Sequence, residues 1–137
     1  MILLDTNVIS ELMKPHPDGQ VRDWLLSLGE ERLATTAITV AEIHYGLDRL
    51  PDGRRRDDLL ERFARLAGAM SVLPLDSVAG AQAGVFRALR ERLGLPAAAS
   101  DMMIAGIAAT AGANLATRNI RDLEHLPIAV VDPWQAH

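Results

Sequence analysis

The sequence predicts an α/β sandwich built on a mainly parallel β-sheet. Two observations carry this. Short apolar runs of strand length alternate with longer helical segments from one end of the chain to the other, the pattern of crossover units in which a helix follows each strand. The helical segments are also closed by turn residues, as at Gly29, Pro51-Asp52-Gly53, Gly94 with Pro96, and Gly112, which separates them from the strands.

In order, Met1–Asp5 (MILLD) is a short buried strand. Thr6 and Asn7, residue types that favour helix starts, open a short helix through Met13, halted by Pro15 and Pro17. Val21, Trp24, Leu25 and Leu28 recur at i, i+3, i+4, i+7, so Asp18–Leu28 is an amphipathic helix. Arg32–Thr35 is a second strand. Thr39–Arg49 is a helix, and Arg54–Ala69 another, with Leu59, Leu60, Phe63 and Leu66 on one face. Ser71–Leu75 is a strand, Ser77–Leu93 and Ala98–Ala111 are helices, and Leu115–Thr117 and Ile128–Val131 are the last strands. No repeat, low-complexity segment or linker interrupts residues 1–137, so one domain is expected, and that length suffices for one core.

Composition narrows the classes. Hydrophobic residues make up 49% and charged residues 23%, which is globular rather than disordered. There is no cysteine, so disulfides and thiolate metal sites are excluded. Met1–Leu4 is too short for a signal core, and Asp5 and Glu11 interrupt it. The longest uncharged run, Met102–Thr117, has sixteen residues, short of the ~20 a membrane helix needs. A cytoplasmic protein without membrane contact is therefore expected. The formal net charge is −4, and the basic residues are thirteen arginines and Lys14. That balance argues against a protein that coats nucleic acid by charge alone. It leaves open an enzyme holding metal ions in an acidic pocket.

Four acids stand out by position. Asp5 ends the first strand, Glu42 and Asp101 lie near the starts of two helices, and Asp122 follows the fourth strand in ATRNIRDLEHL. Each has a structural explanation. Asp5 suits a helix N-cap, and Thr39-x-x-Glu42 suits a capping box. Asp101 suits the positive end of a helix, and Asp122 suits a turn cap. In a parallel sandwich, however, all four places can converge beyond the carboxyl ends of the strands, where such sheets bind ligands. Converging carboxylates repel and need a cation. Without histidine or cysteine they are hard oxygen ligands, suited to Mg²⁺ or Mn²⁺ rather than zinc. Such an ion carries water that can attack phosphorus, so the chemistry implied is phosphodiester hydrolysis.

The segments MILLDTNVISEL, ITVAEIHYGL, ASDMMIAGIAA and ATRNIRDLEHL resemble the successive motifs of PIN-domain ribonucleases, and more narrowly the VapC-type toxins of type II toxin–antitoxin pairs. The resemblance runs from Met1 to the closing VVDPW. It implies a PIN-like fold and metal-dependent cleavage of RNA. It also implies a homodimer and neutralisation by a small cognate antitoxin, in a hetero-oligomer of the two. Matched motif by motif, Asp5, Glu42, Asp101 and Asp122 become the acidic, metal-holding core, with Asn7 and Thr117 as small polar neighbours. Arg118 and Arg121 flank the Asp122 loop, where either can meet a phosphate or pair with an acid. Two other readings compete: a PIN-like binding module without catalysis, and a phosphatase of the haloacid dehalogenase type. The latter usually needs a second aspartate where Asn7 stands.

The remaining signals read as structural. His44, two positions after Glu42, points to another side of its helix and is expected at the surface or in an interface. His16, His125 and His137 show no ligand spacing. Trp24 and Phe63 are expected in the core, and Trp134 as an anchor of the tail. Arg54, Arg55 and Arg56 form a solvated helix start or a contact for RNA or antitoxin.

Overall fold

The computed structural model describes residues 1–136; His137 lies outside them. The chain runs β1 (Ile2–Leu4), α1 (Thr6–Leu12), α2 (Gly19–Ser27), β2 (Leu33–Thr36), α3 (Ala37–Asp48), α4 (Arg54–Gly68), β3 (Ser71–Leu73), α5 (Ser77–Arg92), α6 (Ala99–Ala111), β4 (Asn114–Ala116), a 3-10 turn (Ile120–Leu123) and β5 (Val130–Val131). The expected α/β architecture is present. Five strands form one sheet in the order β3-β2-β1-β4-β5, and every pairing is parallel. The chain lays down β2 and β3 on one side of β1, then returns to place β4 and β5 on the other. The order therefore reverses between β1 and β4, and the crevice beyond the carboxyl ends at such a switch point is where these sheets bind ligands.

The inner strands β1, β2 and β4 are largely buried, whereas β3 at one edge exposes Ser71 and Val72 and β5 at the other is half-buried. Their side chains alternate as a pleat requires. Leu3, Ala34 and Leu115 enter the core beneath α5 and α6, while Ile2, Leu4 and Ala116 enter the core beneath α1 to α4. The α5–α6 contact is close enough that a Cβ on Gly106 would sit 2.5 Å from the Ala79 carbonyl oxygen. Among the described residues, no helix is long and apolar enough to cross a membrane.

Three boundaries differ by two residues from the sequence reading, and one element was not expected, each for a physical reason. α3 begins at Ala37 instead of Thr39, because the Thr36 hydroxyl, at the end of β2, accepts the Thr39 amide at 3.0 Å and caps the helix. β3 stops at Leu73 because Pro74 has no N–H to continue the ladder. β5 starts at Val130, since the Ile128 amide is spent on the Leu126 carbonyl in a local turn. The 3-10 turn at Ile120–Leu123 is too short to leave a periodic signal.

Candidate active site

Asp5 follows β1 directly. Its amide donates to the Ala116 carbonyl at 3.0 Å, so its backbone is still fastened to β4. Its side chain is 6% exposed and makes two bonds. One oxygen accepts the Thr6 amide at 2.7 Å, which caps α1. The other accepts the Thr117 hydroxyl at 2.7 Å. Asp5 is thus both an N-cap and a carboxylate presented at the crevice. Burial raises its pKa and nearby Glu42 adds to the rise, while the Thr117 and Thr6 bonds oppose it.

Asn7 ties the two sides of the crevice together. Its amide nitrogen donates to the Thr117 hydroxyl at 3.3 Å, and its oxygen accepts the Arg118 amide at 3.1 Å. The Thr117 hydroxyl also accepts the Asn119 amide at 3.0 Å. With its own proton on Asp5, it is held by three partners. Thr117 is fully buried, so its orientation is fixed.

Glu42 is the sixth residue of α3, beyond reach of the helix start, so the capping-box reading is corrected. One of its carboxylate oxygens instead accepts the Thr6 hydroxyl at 2.7 Å. The Thr39 hydroxyl lies 3.0 Å from that of Thr6. Because an ionised carboxylate only accepts, the Thr6 proton goes to Glu42 and Thr39 donates to Thr6. Neither threonine was singled out from the sequence as a support for Glu42.

Asp101 occupies the first turn of α6, whose N-cap, Ala98, offers no side-chain bond. It is half-buried. Its pKa is pushed up to about 6, by burial first and then by Asp5, Asp122 and Glu42, with Arg90 pulling the other way. Asp122 sits half-buried in the 3-10 turn. Each of the other three sequence-selected acids raises Asp101, and Glu42 also raises Asp5. Among the described residues none of the four is in an ion pair. Nor, among those residues, do three ligating side chains already close on one point. The four acids are near enough for the other three to raise Asp101. An all-oxygen, unpaired and mutually repelling set fits a hard divalent cation.

Sequence reasoning missed Arg90. It is 2% exposed, and its guanidinium donates to the Pro96 and Glu124 carbonyls, both at 2.8 Å. Pro96 precedes the Asp101 helix and Glu124 follows the Asp122 turn, so one side chain staples both segments. The available signal was its place in the stripe Ala79, Ala83, Phe86, Arg90 on the buried face of α5. Arg118 pairs with no acid among the described residues; its guanidinium lies over the Trp134 ring, 4.6 Å from the centroid. Trp24, Phe63 and Trp134 are buried, as expected. His44 is exposed and meets Phe63 edge-on at 5.5 Å.

Comparison with known proteins adds independent findings. Residues 2–128 match the PIN domain. The chain is 38% identical over 138 residues to the VapC ribonuclease Y4jK of Sinorhizobium fredii, covering 98% of this chain and 99% of that protein. It is 37% identical over 139 residues to the toxin FitB of Neisseria gonorrhoeae, covering 98% and 99%. Its backbone matches the crystal structure of FitAcB from Neisseria gonorrhoeae with a TM-score of 0.87 at 37% identity, over 99% of this chain and 100% of that one.

Proposed function

The chain belongs to the PIN domain family, and from that premise we propose that it is a metal-dependent endoribonuclease, the toxin of a toxin–antitoxin module. Asp5, Glu42, Asp101 and Asp122 hold Mg²⁺ or Mn²⁺ in this reading. The observation that carries it is the group of four unpaired carboxylates around Asp101, whose charge has no resolution inside the protein except Arg90. Likeness to a VapC ribonuclease and to toxin FitB supports the substrate and the biological role. A small cognate antitoxin is the partner, and the toxin itself pairs as a homodimer. Family membership sets aside the dehalogenase-type phosphatase.

A bound divalent ion supplies positive charge for the phosphodiester and acidifies its water. The chain's own residues do the positioning. Thr117 and the Thr6 amide fix both oxygens of Asp5, each of which keeps a further lone pair able to meet an ion. The Thr39–Thr6 chain aims Glu42. Arg90 holds the segments bearing Asp101 and Asp122 in register. Arg118, braced on Trp134 at the rim, presents its charge to an incoming phosphate.

The test uses the full chain freed of antitoxin. EDTA is expected to abolish RNA cleavage and Mg²⁺ or Mn²⁺ to restore it. Asp5→Asn is expected to lower the rate at least about 100-fold, because even the outer-shell partners of metal ligands are worth roughly 10- to 100-fold. Full cleavage in EDTA would refute metal catalysis. Wild-type rates for Asp5→Asn at saturating Mg²⁺ would refute the site. RNA binding without cleavage by the wild type would leave the silent binding module standing.

A further inference from the structure

We propose that a second cleft, between α1 and α4, binds the sugar–phosphate backbone of the same RNA strand a few nucleotides from the cut. This inference rests on the ribonuclease reading and extends it to how the substrate is held. A cleft of about 250 Å³ starts at Thr6 and Glu42, at the edge of the acidic group, and runs between α1, α3 and α4. It shares Lys14 and Leu59 with a neighbouring cleft of about 440 Å³. The second cleft is lined by Lys14, Arg54, Arg55 and Arg62, with Asp58 as its one acid among the described residues. Three of the thirteen arginines and the only lysine of a chain with net charge −4 therefore face one cavity.

The three consecutive arginines divide by role. Arg56 is committed to Asp48 at 2.8 Å and Asp52 at 2.6 Å, which fastens the turn before α4. Arg54 and Arg55 are exposed and have no carboxylate partner among the described residues. Arg62 is anchored through the Met13 carbonyl at 2.9 Å, which fixes the far wall. Two anchored walls and two free guanidinium groups suit a polyanion, and guanidinium forks match phosphate oxygens. Along α1, from Thr6 to Leu12, the wall rises roughly 9 Å at 1.5 Å per residue, with Lys14 just beyond its end, a length that a nucleic-acid strand covers within a few nucleotides. The groove is thus polarised. Its acidic end takes a cation, and its basic end takes the phosphates that follow the scissile one.

The experiment measures binding of a labelled single-stranded RNA oligonucleotide of mixed sequence to full-length Asp5→Asn protein, in Mg²⁺, across a salt series. Adding Arg54→Gln and Arg55→Gln is expected to weaken binding roughly 10-fold near 0.15 M salt and to lower the log K–log salt slope by about 1.4, at about 0.7 per lost phosphate contact. The loss is expected to be uniform across RNA sequences. Arg54→Lys with Arg55→Lys keeps the charge and is expected to retain the slope. Arg65→Gln, on the same helix but outside the cleft, is expected to change neither value. Should the double glutamine variant melt below the assay temperature, each single variant is expected to lose about 0.7 of slope. Unchanged affinity and slope in the glutamine variants would overturn the proposal. So would unchanged RNA binding together with weakened capture of the antitoxin, which would assign the cleft to an acidic protein segment. Failure of the wild type to cleave any RNA would count against the ribonuclease reading, whatever the variants do.

Discussion

The face of the sheet covered by α5 and α6 is filled largely by alanine, with Phe86, Met102, Ile104 and Ile107 between. The face covered by α1 to α4 is filled by Trp24, Phe63, Trp134 and larger aliphatic residues. Small side chains let α5 and α6 approach until backbone meets backbone at Gly106. Large ones hold α1, α3 and α4 apart and leave clefts between them. The close-packed face carries Asp101 and, through Arg90, fixes the turn bearing Asp122. The splayed face carries Glu42 and the clefts. Close packing thus lies beneath Asp101 and Asp122, and open volume beside Glu42.

That comparison can be broken most forcefully at Arg90. If alanine packing alone held the close face, Arg90→Met would be nearly neutral, since the volumes are similar. If the staple matters, the Pro96 and Glu124 carbonyls lose their donor, and hydrogen bonds to charged groups are worth about 1.5–3 kcal/mol each. A loss of about 3 kcal/mol in urea unfolding is expected, the largest of the stability effects here.

A matched pair of glycines tests packing directly. Gly106→Ala places a Cβ 2.5 Å from the Ala79 carbonyl oxygen and 2.9 Å from the Ala83 amide nitrogen. Overpacking of this kind costs about 1–3 kcal/mol, so a clear fall in melting temperature is expected. Gly46→Ala in α3 is the mirror experiment. A Cβ there meets nothing within 4 Å, and alanine favours a helix over glycine by about 0.8–1 kcal/mol. It is expected to stabilise, and it is the smallest of these effects. Equal effects of the same sign would show that the two faces do not differ.

Between those extremes lies the charge cluster that bridges the faces. Asp101 holds its proton to about pH 6 in the folded protein, against 3.8 when free. Its folded-state preference is for the neutral form. Stability of the metal-free protein from this group is therefore full below pH 3.8 and lost as pH rises to about 6. Glu11 works with the opposite sign. Burial raises its pKa, but the Lys14 and Asp18 bonds outweigh this and hold it low, so its contribution is lost in acid. The difference between wild type and Asp101→Asn separates the two. Without metal at neutral pH the variant is expected to melt a few degrees higher, and the advantage to vanish toward pH 4. Mg²⁺ is expected to stabilise the wild type more than the variant by mass action. A variant that melts lower without metal and gains as much from Mg²⁺ would make Asp101 a structural acid.

Much of this was legible in the sequence because strong local signals and the fold agreed. MILLD reads as a buried strand with a carboxylate at its end, and Asp5 is found there. The sequence reading placed every α-helix to within two residues, the usual uncertainty of helix ends. The surroundings of Glu42 were not legible. The stretch TTAIT offers three threonines able to cap, and only the end of β2 decides for Thr36. Arg90 was hidden for a different reason. In RALRERLG it reads as one more surface cation, and its partners are carbonyls, which no side-chain pattern reveals. The order of strands in the sheet is likewise a property of long-range pairing that local periodicity does not encode.

The central strand is also the first one synthesised. β1 pairs with β2 early, but its other neighbour, β4, begins at Asn114. Asp5 therefore waits for Thr117, and the acidic group for Asp122, through most of translation. N-terminal parts of a chain emerge and begin to fold first, yet a nascent chain that has not reached Asp122 lacks the last of the four acids. Chain order thus makes Asp122 the last of the four acids to be added, 117 residues after Asp5.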